Sequence, residues 1–278
     1  MRALATDPQA RGLQDDAAVL RFGTESLILT HDTLVQGVHV RADERAEDIA
    51  WKLVAVNLSD LAAKGAEPIG VLVSHMLGEG DEAFARGLAE ILSEYDVPLL
   101  GGDTVRAEGR RIWGCTAIGR ATHLPVPARS GAQHGDAVYV TGTLGMAMVG
   151  MAERDTKSAE DMAYRRPRPL LREGHALAPY VTAMMDVSDG LLLDCWRLAE
   201  ASECMIALEK DGVPLADRGR ADACMRWGDD YQLLFTVPPD LELPVPAFRI
   251  GTVSASPRPA LLLDGEYLSP KDGLGYQH

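Results

Sequence analysis

A two-domain α/β (α+β) architecture is what this sequence predicts, on three observations. Strand-like and helix-like segments alternate along the chain. Its 278 residues favour two cores over one. A stretch rich in turn formers (Pro125, Pro127, Ser130, Gly131, Gly135) interrupts the alternation near the middle. A boundary there gives residues 1–127 and 128–278. The first half carries more strand signals than its helices can cover, and the second reads as a layered α/β unit.

Ser26 to Leu34 (SLILTHDTL) is dense in strand formers and breaks at Gly37, which puts His31-Asp32-Thr33 toward a strand end. Asp43 is positioned to cap a helix through Ala46, Ile49, Leu53, Val54 and Leu58, closing at Gly65 with Pro68 beyond it. Asp60 rides near the end of that helix. Asp81 to Tyr95 has Phe84, Leu88, Ile91 and Leu92 at helical spacing, and Leu99-Leu100 then leads into Gly101-Gly102-Asp103. Arg111 to Arg120 reads as a strand. Past the boundary, Ala137 to Thr141, Ala183 to Met185 and Tyr231 to Val237 read as strands, and Leu144 to Glu153 and Gly190 to Ala201 as helices.

Charge narrows the function. A net charge of −14 argues against a nucleic-acid surface, since displacing counterions from a phosphate backbone needs clustered Lys and Arg. The same charge would repel a phosphorylated ligand unless divalent cations bridge the two. The longest apolar runs fall far short of the ~20 residues that span a bilayer, so no membrane segment is expected. Cys115, Cys195, Cys204 and Cys224 form no C-x-x-C pair, and the first residues do not read as a signal peptide, which points to a cytoplasmic protein.

Seven aspartates lie in five clusters punctuated by small residues: Asp15-Asp16, His31-Asp32-Thr33, Asn57-Leu58-Ser59-Asp60, Gly101-Gly102-Asp103-Thr104 and Asp186-Val187-Ser188-Asp189-Gly190. Any one of them alone is ordinary turn or N-cap chemistry. Together they supply enough carboxylates for two or more Mg²⁺ ions, hard cations normally held by one or two carboxylates plus substrate phosphates. Bridging phosphate oxygens in that way meets the main demand of phosphoryl transfer. Neither G-x-x-x-x-G-K-[ST] nor a kinase H-R-D signature occurs, so the two commonest ATP sites are excluded. Gly101-Gly102 reads either as a tight turn or as a place where backbone approaches phosphate. His39 and Arg129 are candidate phosphate partners. Gly228-Asp229-Asp230-Tyr231 sets an acid beside a strand, suited to a cationic or amino-bearing substrate.

In order and spacing, these stretches resemble the thiamine-monophosphate kinases, within the superfamily of aminoimidazole ribonucleotide synthetases. The likeness runs from Gly12-Leu13-Gln14-Asp15-Asp16 through Ala55-Val56-Asn57-Leu58-Ser59-Asp60 and Arg129-Ser130-Gly131 to Gly228-Asp229-Asp230-Tyr231. It implies direct in-line transfer of the ATP γ-phosphoryl to thiamine monophosphate with several Mg²⁺ ions, ATP being the co-substrate. It also implies a homodimer whose N-terminal mixed sheets build a β-barrel-like core with flanking helices. Residues 1–127 then bind metal and ATP and dimerise, and 128–278 complete the cleft. By this likeness Asp16, Thr30, His31, Asp32, Asp60, Asp103, Asp186 and Asp189 are metal ligands. Gly102, Asp103, Arg129 and Ser188 contact ATP, and His39, Asp229 and Tyr276 contact thiamine monophosphate, with Asp15 in support.

The sequence departs from the family pattern at several places. His31 stands where a hydroxyl residue is usual, Gln36 where Glu is common, and Asp229 where a Glu one methylene longer is usual. Gly273 lies near the place of the stacking aromatic, with Tyr276 the nearest ring. An aminoimidazole ribonucleotide synthetase-type enzyme and a nucleotide- and metal-binding module without turnover are the alternative readings.

Overall fold

The computed structural model describes residues 2–153, 157–256 and 258–277. Its first sheet is built from β1 (Ala18–Phe22), β2 (Glu25–Val35), β3 (Ala66–Met76), β4 (Leu99–Val105) and β5 (Ile112–Ala121), in the order β1-β2-β5-β3-β4. Helix α1 (Ala46–Ala63) joins β2 to β3, and α2 (Asp81–Glu94) joins β3 to β4. The β3–β4 pair is parallel because α2 crosses between them, and the other pairs are antiparallel. The sheet is open, with β1 and β4 at its edges, and no closed barrel forms among the described residues.

The second half adds β6 (Ala137–Val140), α3 (Met146–Ala152), α4 (Ala159–Arg165), α5 (Leu171–Leu177), β7 (Ala183–Asp186), α6 (Leu191–Ala201) and β8 (Cys204–Leu208). It continues through α7 (Ala221–Trp227), β9 (Leu233–Val237), β10 (Phe248–Ala255), β11 (Ala260–Leu263) and β12 (Glu266–Leu268). These strands make a seven-stranded sheet, β12-β11-β8-β10-β6-β9-β7, in which only β8 and β11 run parallel. Two sheets with covering helices give a mixed α/β fold.

Helix α1 organises the whole. Fourteen of its eighteen residues are buried, including Asp48, Lys52, Asn57 and Ser59, so it is wrapped on all sides rather than laid on a surface. One flank packs on the first sheet, where Leu53, Leu58 and Leu61 meet Ile28, Val71 and Cys115. Its end, Ala62 and Ala63, packs against Leu177, Met184 and Phe235 of the second half. Side chains four apart on a helix stack along one ridge. Lys52, Val56 and Asp60, with Lys64 just beyond the last turn, therefore point the same way, into the space between the sheets.

Two local expectations change. Arg45, not Asp43, occupies the N-cap of α1 and makes no side-chain capping bond. Gly101-Gly102-Asp103-Thr104 is not a turn but the middle of β4, in parallel register with Leu72, Val73, Ser74 and His75. Gly102 is glycine for steric reasons, since a Cβ there would meet the Val73 carbonyl oxygen at 1.9 Å.

Candidate active site

A cleft of about 530 Å³ opens between the two halves. Asp16, Asp32, Asp60, Asp186, Ser188 and Asp189 line it, with Arg129, His39, Asp229 and Tyr276. The sequence scattered these residues over 260 positions, and separate strands, helices and loops deliver them. Asp32 comes from β2, where alternation puts Thr30, Asp32 and Leu34 on the face toward α1. Asp60 comes from the α1 ridge and Asp186 from the last residue of β7. Ser188 and Asp189 lie in the loop opening α6, which Asp194 fixes by accepting the backbone N–H groups of both, at 3.1 and 3.0 Å.

Oxygens of Asp16, Asp60 and Asp186 all lie within 4.8 Å of one another. Asp186 Oδ2 accepts from Ser59 Oγ at 2.6 Å, while its Oδ1 is buried without a hydrogen-bond partner. Thr30 Oγ1 donates to Asp60, and Asp32 and Asp60 share a hydrogen bond. Like charges packed this tightly in a dry site favour protonation. Burial, then the charges of Asp32, Asp186 and Asp16, push Asp60 well above the ordinary carboxylate range. Burial and Asp16 likewise push Asp186 up to about 8. An unpartnered carboxylate oxygen facing two other acids is the donor set of a hard divalent cation, and these three residues fit one.

Fixed cations stand against the acids. Arg129 holds Asp16 Oδ1 through Nε at 2.7 Å and Nη2 at 2.5 Å. Lys64 Nζ lies 2.5 Å from Asp15 Oδ1 and 2.5 Å from Asp16 Oδ2, the latter out of line for a hydrogen bond. Burial would raise Asp15, but Lys64 and Arg11 outweigh it and hold that carboxyl low. Arg197 Nη1 pairs with Asp189 at 2.5 Å and Asp194 at 2.9 Å.

Aromatic residues line the same cleft. Tyr164, Trp227, Tyr231 and Tyr276 line it with Met151 and Asp229. The segment bearing Asp229 is conformationally strained, with positive φ at Gly228, Asp229 and Tyr231, and strain of this kind collects at functional sites. Asp229 is held on both oxygens, by the Lys52 ammonium and by Tyr231 Oη at 2.8 Å. Val35 N–H donates to His39 Nδ1 at 3.0 Å, which leaves the ring proton on Nε2. Tyr276 reaches the cleft because its N–H donates to the Asp189 carbonyl at 2.9 Å, and its ring meets His39 edge-on at 6.4 Å.

Three expected residues lie elsewhere. The His31 ring is on the opposite face of β2, against Thr116 Oγ1 at 2.8 Å. Gly102 and Asp103 are on exposed edge strand β4, three strands from Asp32, beside a separate groove with His75, Asp81 and Phe84. Thr30 is close by, behind Asp60 rather than in the cleft.

Comparison with known proteins gives this geometry a family. The family models for AIR synthase related protein match residues 14–121 with the N-terminal domain and residues 133–264 with the C-terminal domain. A thiamine-monophosphate kinase of Caulobacter vibrioides is 37% identical, the match covering 90% of this chain and 76% of that protein. The chain belongs to the thiamine-monophosphate kinase family. The Escherichia coli K12 thiamine-monophosphate kinase is 35% identical over 96% of this chain and 91% of its own. Among solved structures, AaThiL complexed with AMPPCP and TMP superposes with a TM-score of 0.85 at 28% identity, covering 92% of this chain and 89% of that one.

Sequence reasoning missed Lys52, Lys64, Tyr164, Arg197 and Trp227. Two carried a signal. Arg197 is three residues beyond Asp194 on one helix face, and Lys64 continues the four-residue ridge of Lys52 and Asp60. Trp227 and Tyr164 carried none, since short helices bring them in through long-range packing.

Proposed function

We propose that this chain transfers the γ-phosphoryl group of ATP to thiamine monophosphate, giving thiamine diphosphate and ADP. One observation carries the reading: a single cleft lined by clustered acids, fixed cations and aromatic rings beside a further acid, Asp229. A phosphate oxygen of the acceptor attacks the γ-phosphorus, the bond to the β,γ-bridging oxygen breaks, and ADP leaves with that electron pair. Family membership and the AMPPCP and TMP complex of AaThiL support it.

Asp16, Asp60 and Asp186 would hold Mg²⁺, with Asp32 and Asp189 beside them. Bound there, the cations would neutralise charge on the phosphate oxygens. Arg129 and Arg197 pair with Asp16 and Asp189 in the resting cleft and are positioned to turn to phosphates. Ser188 offers ATP an oxygen on the loop that Asp194 holds. His39, Trp227 and Tyr276 frame the acceptor, whose cationic thiazolium ring suits aromatic faces near an acid. Asp229, tied to Lys52, acts there as part of an ion pair rather than as a lone carboxylate.

In this reading residues 1–127 bind metal and nucleotide and dimerise, and residues 128–278 close the cleft. Gly102 and Asp103 are too far from Asp32 to share its cations within one chain, so a second copy supplies them. Two features favour a homodimer: an unpaired edge at β4 and half-exposed Leu99, Leu100 and Val105 along it. Two such sheets meeting would complete a barrel-like core. No helix of the described residues is long and apolar enough to cross a membrane, in keeping with a cytoplasmic enzyme. Incubating the protein with Mg²⁺, ATP and thiamine monophosphate should yield thiamine diphosphate and ADP in equal amounts. ATP binding with neither product would refute the proposal.

A further inference from the structure

Lys64 is an unusual residue to find beneath an acidic cleft, behind Asp15 and Asp16. Its side chain is 0% exposed, and a buried ammonium is tolerated only when paired. The partners are Asp15 Oδ1, Asp16 Oδ2 and, at 3.4 Å, the Met184 carbonyl. Since Arg129 takes the other oxygen of Asp16, that carboxylate faces a protein cation on each side. Asp186 Oδ1 has no such partner. The acids that lie within 4.8 Å of one another are thus unequal, one compensated from within the chain and the others not.

We propose that Lys64 is a built-in counter-ion beneath the cleft, which neutralises Asp16 beside Asp60 and Asp186 without metal and weakens their joint hold on a divalent cation until nucleotide phosphates arrive. This rests on the metal-binding part of the proposed function. An ion entering beside Asp16 must share it with an ammonium a few ångströms away, and like charges at that range in a site shielded from water repel strongly. Polyphosphate brings the negative charge that offsets this repulsion. Lys64 is then a positioning residue that makes cation and nucleotide load together. A purely structural lysine makes the opposite prediction, because its loss would slacken the site and weaken every ligand.

Mn²⁺ binding, followed by electron paramagnetic resonance on the full chain, separates the two. Without nucleotide, Lys64→Gln, which keeps hydrogen bonding and loses the charge, should bind Mn²⁺ at least about tenfold more tightly than the parent. Lys64→Met should shift in the same direction. Adding AMPPCP should tighten Mn²⁺ binding far more in the parent than in either variant. Unchanged or weaker Mn²⁺ binding in a folded variant, with thiamine diphosphate formation by the parent intact, would overturn the inference alone. No Mn²⁺ binding by any form, with or without AMPPCP, would overturn it together with the metal-dependent reading. Should neither variant fold, the parent still decides: Mn²⁺ affinity indifferent to AMPPCP overturns the proposal, and strong tightening supports it.

Discussion

Replacing Gly228 with alanine is expected to cost stability for two separable reasons. The residue sits at φ 84°, ψ −156°, a region that side-chain-bearing residues avoid. A Cβ there would also lie 2.4 Å from the Ser188 carbonyl oxygen and 2.8 Å from the Asp189 carbonyl carbon. The backbone conformation alone costs about 1–3 kcal/mol. Forcing an atom into occupied space adds about 1–3 kcal/mol. The sum, about 4 kcal/mol at its centre, lowers Tm by about 8 °C for a chain of this size. Gly135 supplies the control, because it too has positive φ, 95°, yet a Cβ on it would meet nothing within 4 Å. Gly135→Ala should therefore lose only the backbone term, about half as much. Thermal melting of the two variants side by side reads the difference. If Gly228→Ala melts no lower than Gly135→Ala, the close packing of residue 228 on the 188–189 loop is wrong, and so is the placement of Asp229 that depends on it.

Asp60→Asn is expected to lower product formation by at least about a hundredfold while leaving Tm close to the parent, since the amide relieves repulsion from Asp32, Asp186 and Asp16. Near-normal turnover would remove Asp60 from the phosphate site. Trp227→Ala should raise KM for thiamine monophosphate about 3–30-fold and leave KM for ATP unchanged, and steady-state kinetics with each substrate varied in turn would expose an equal effect on both. Asp186, pushed up to about 8 from an unfolded value near 3.8, contributes stability that is full below the unfolded value and lost as pH rises through about 8. In EDTA, Tm should accordingly fall between about pH 4 and about pH 8, and Mg²⁺ should flatten the curve by stabilising the ionised form. Identical slopes with and without Mg²⁺ would show that no cation reaches Asp186.

What could be read from the sequence was what its local chemistry declares. Asp16, Asp32, Asp60, Asp186 and Asp189 announce themselves as acids in short clusters with a second acid or a nearby Ser, Thr or Gly, and all five line one cleft. Eleven-residue β3 and eight-residue β10 went unread, while β2, β5, β6, β7 and β9 were legible from their runs of strand formers. Short strands such as β8, β11 and β12 were not, because their five, four and three residues acquire meaning only from their neighbours in the sheet. Gly101-Gly102 looks like a turn to any local rule. Pairing with β3 makes it a strand, and register is a long-range property. Lys64 illustrates the same limit from the other side, since a lysine ending a helix normally complements the dipole in solvent. That it turns inward depends on β7 crossing behind it, which the ridge it shares with Lys52 and Asp60 does not by itself reveal.

Helix α1 carries Lys52 against Asp229 and leads into Lys64 against Asp15 and Asp16, twelve residues apart and about 18 Å along its axis. Clamped by both sheets, it acts as a ruler whose marks do not slide. The separation of those two ion pairs is a dimension of the helix itself, so inserting one residue between Val56 and Asp60 would rotate Asp60 and Lys64 by about 100° relative to Lys52 and part the two at a stroke.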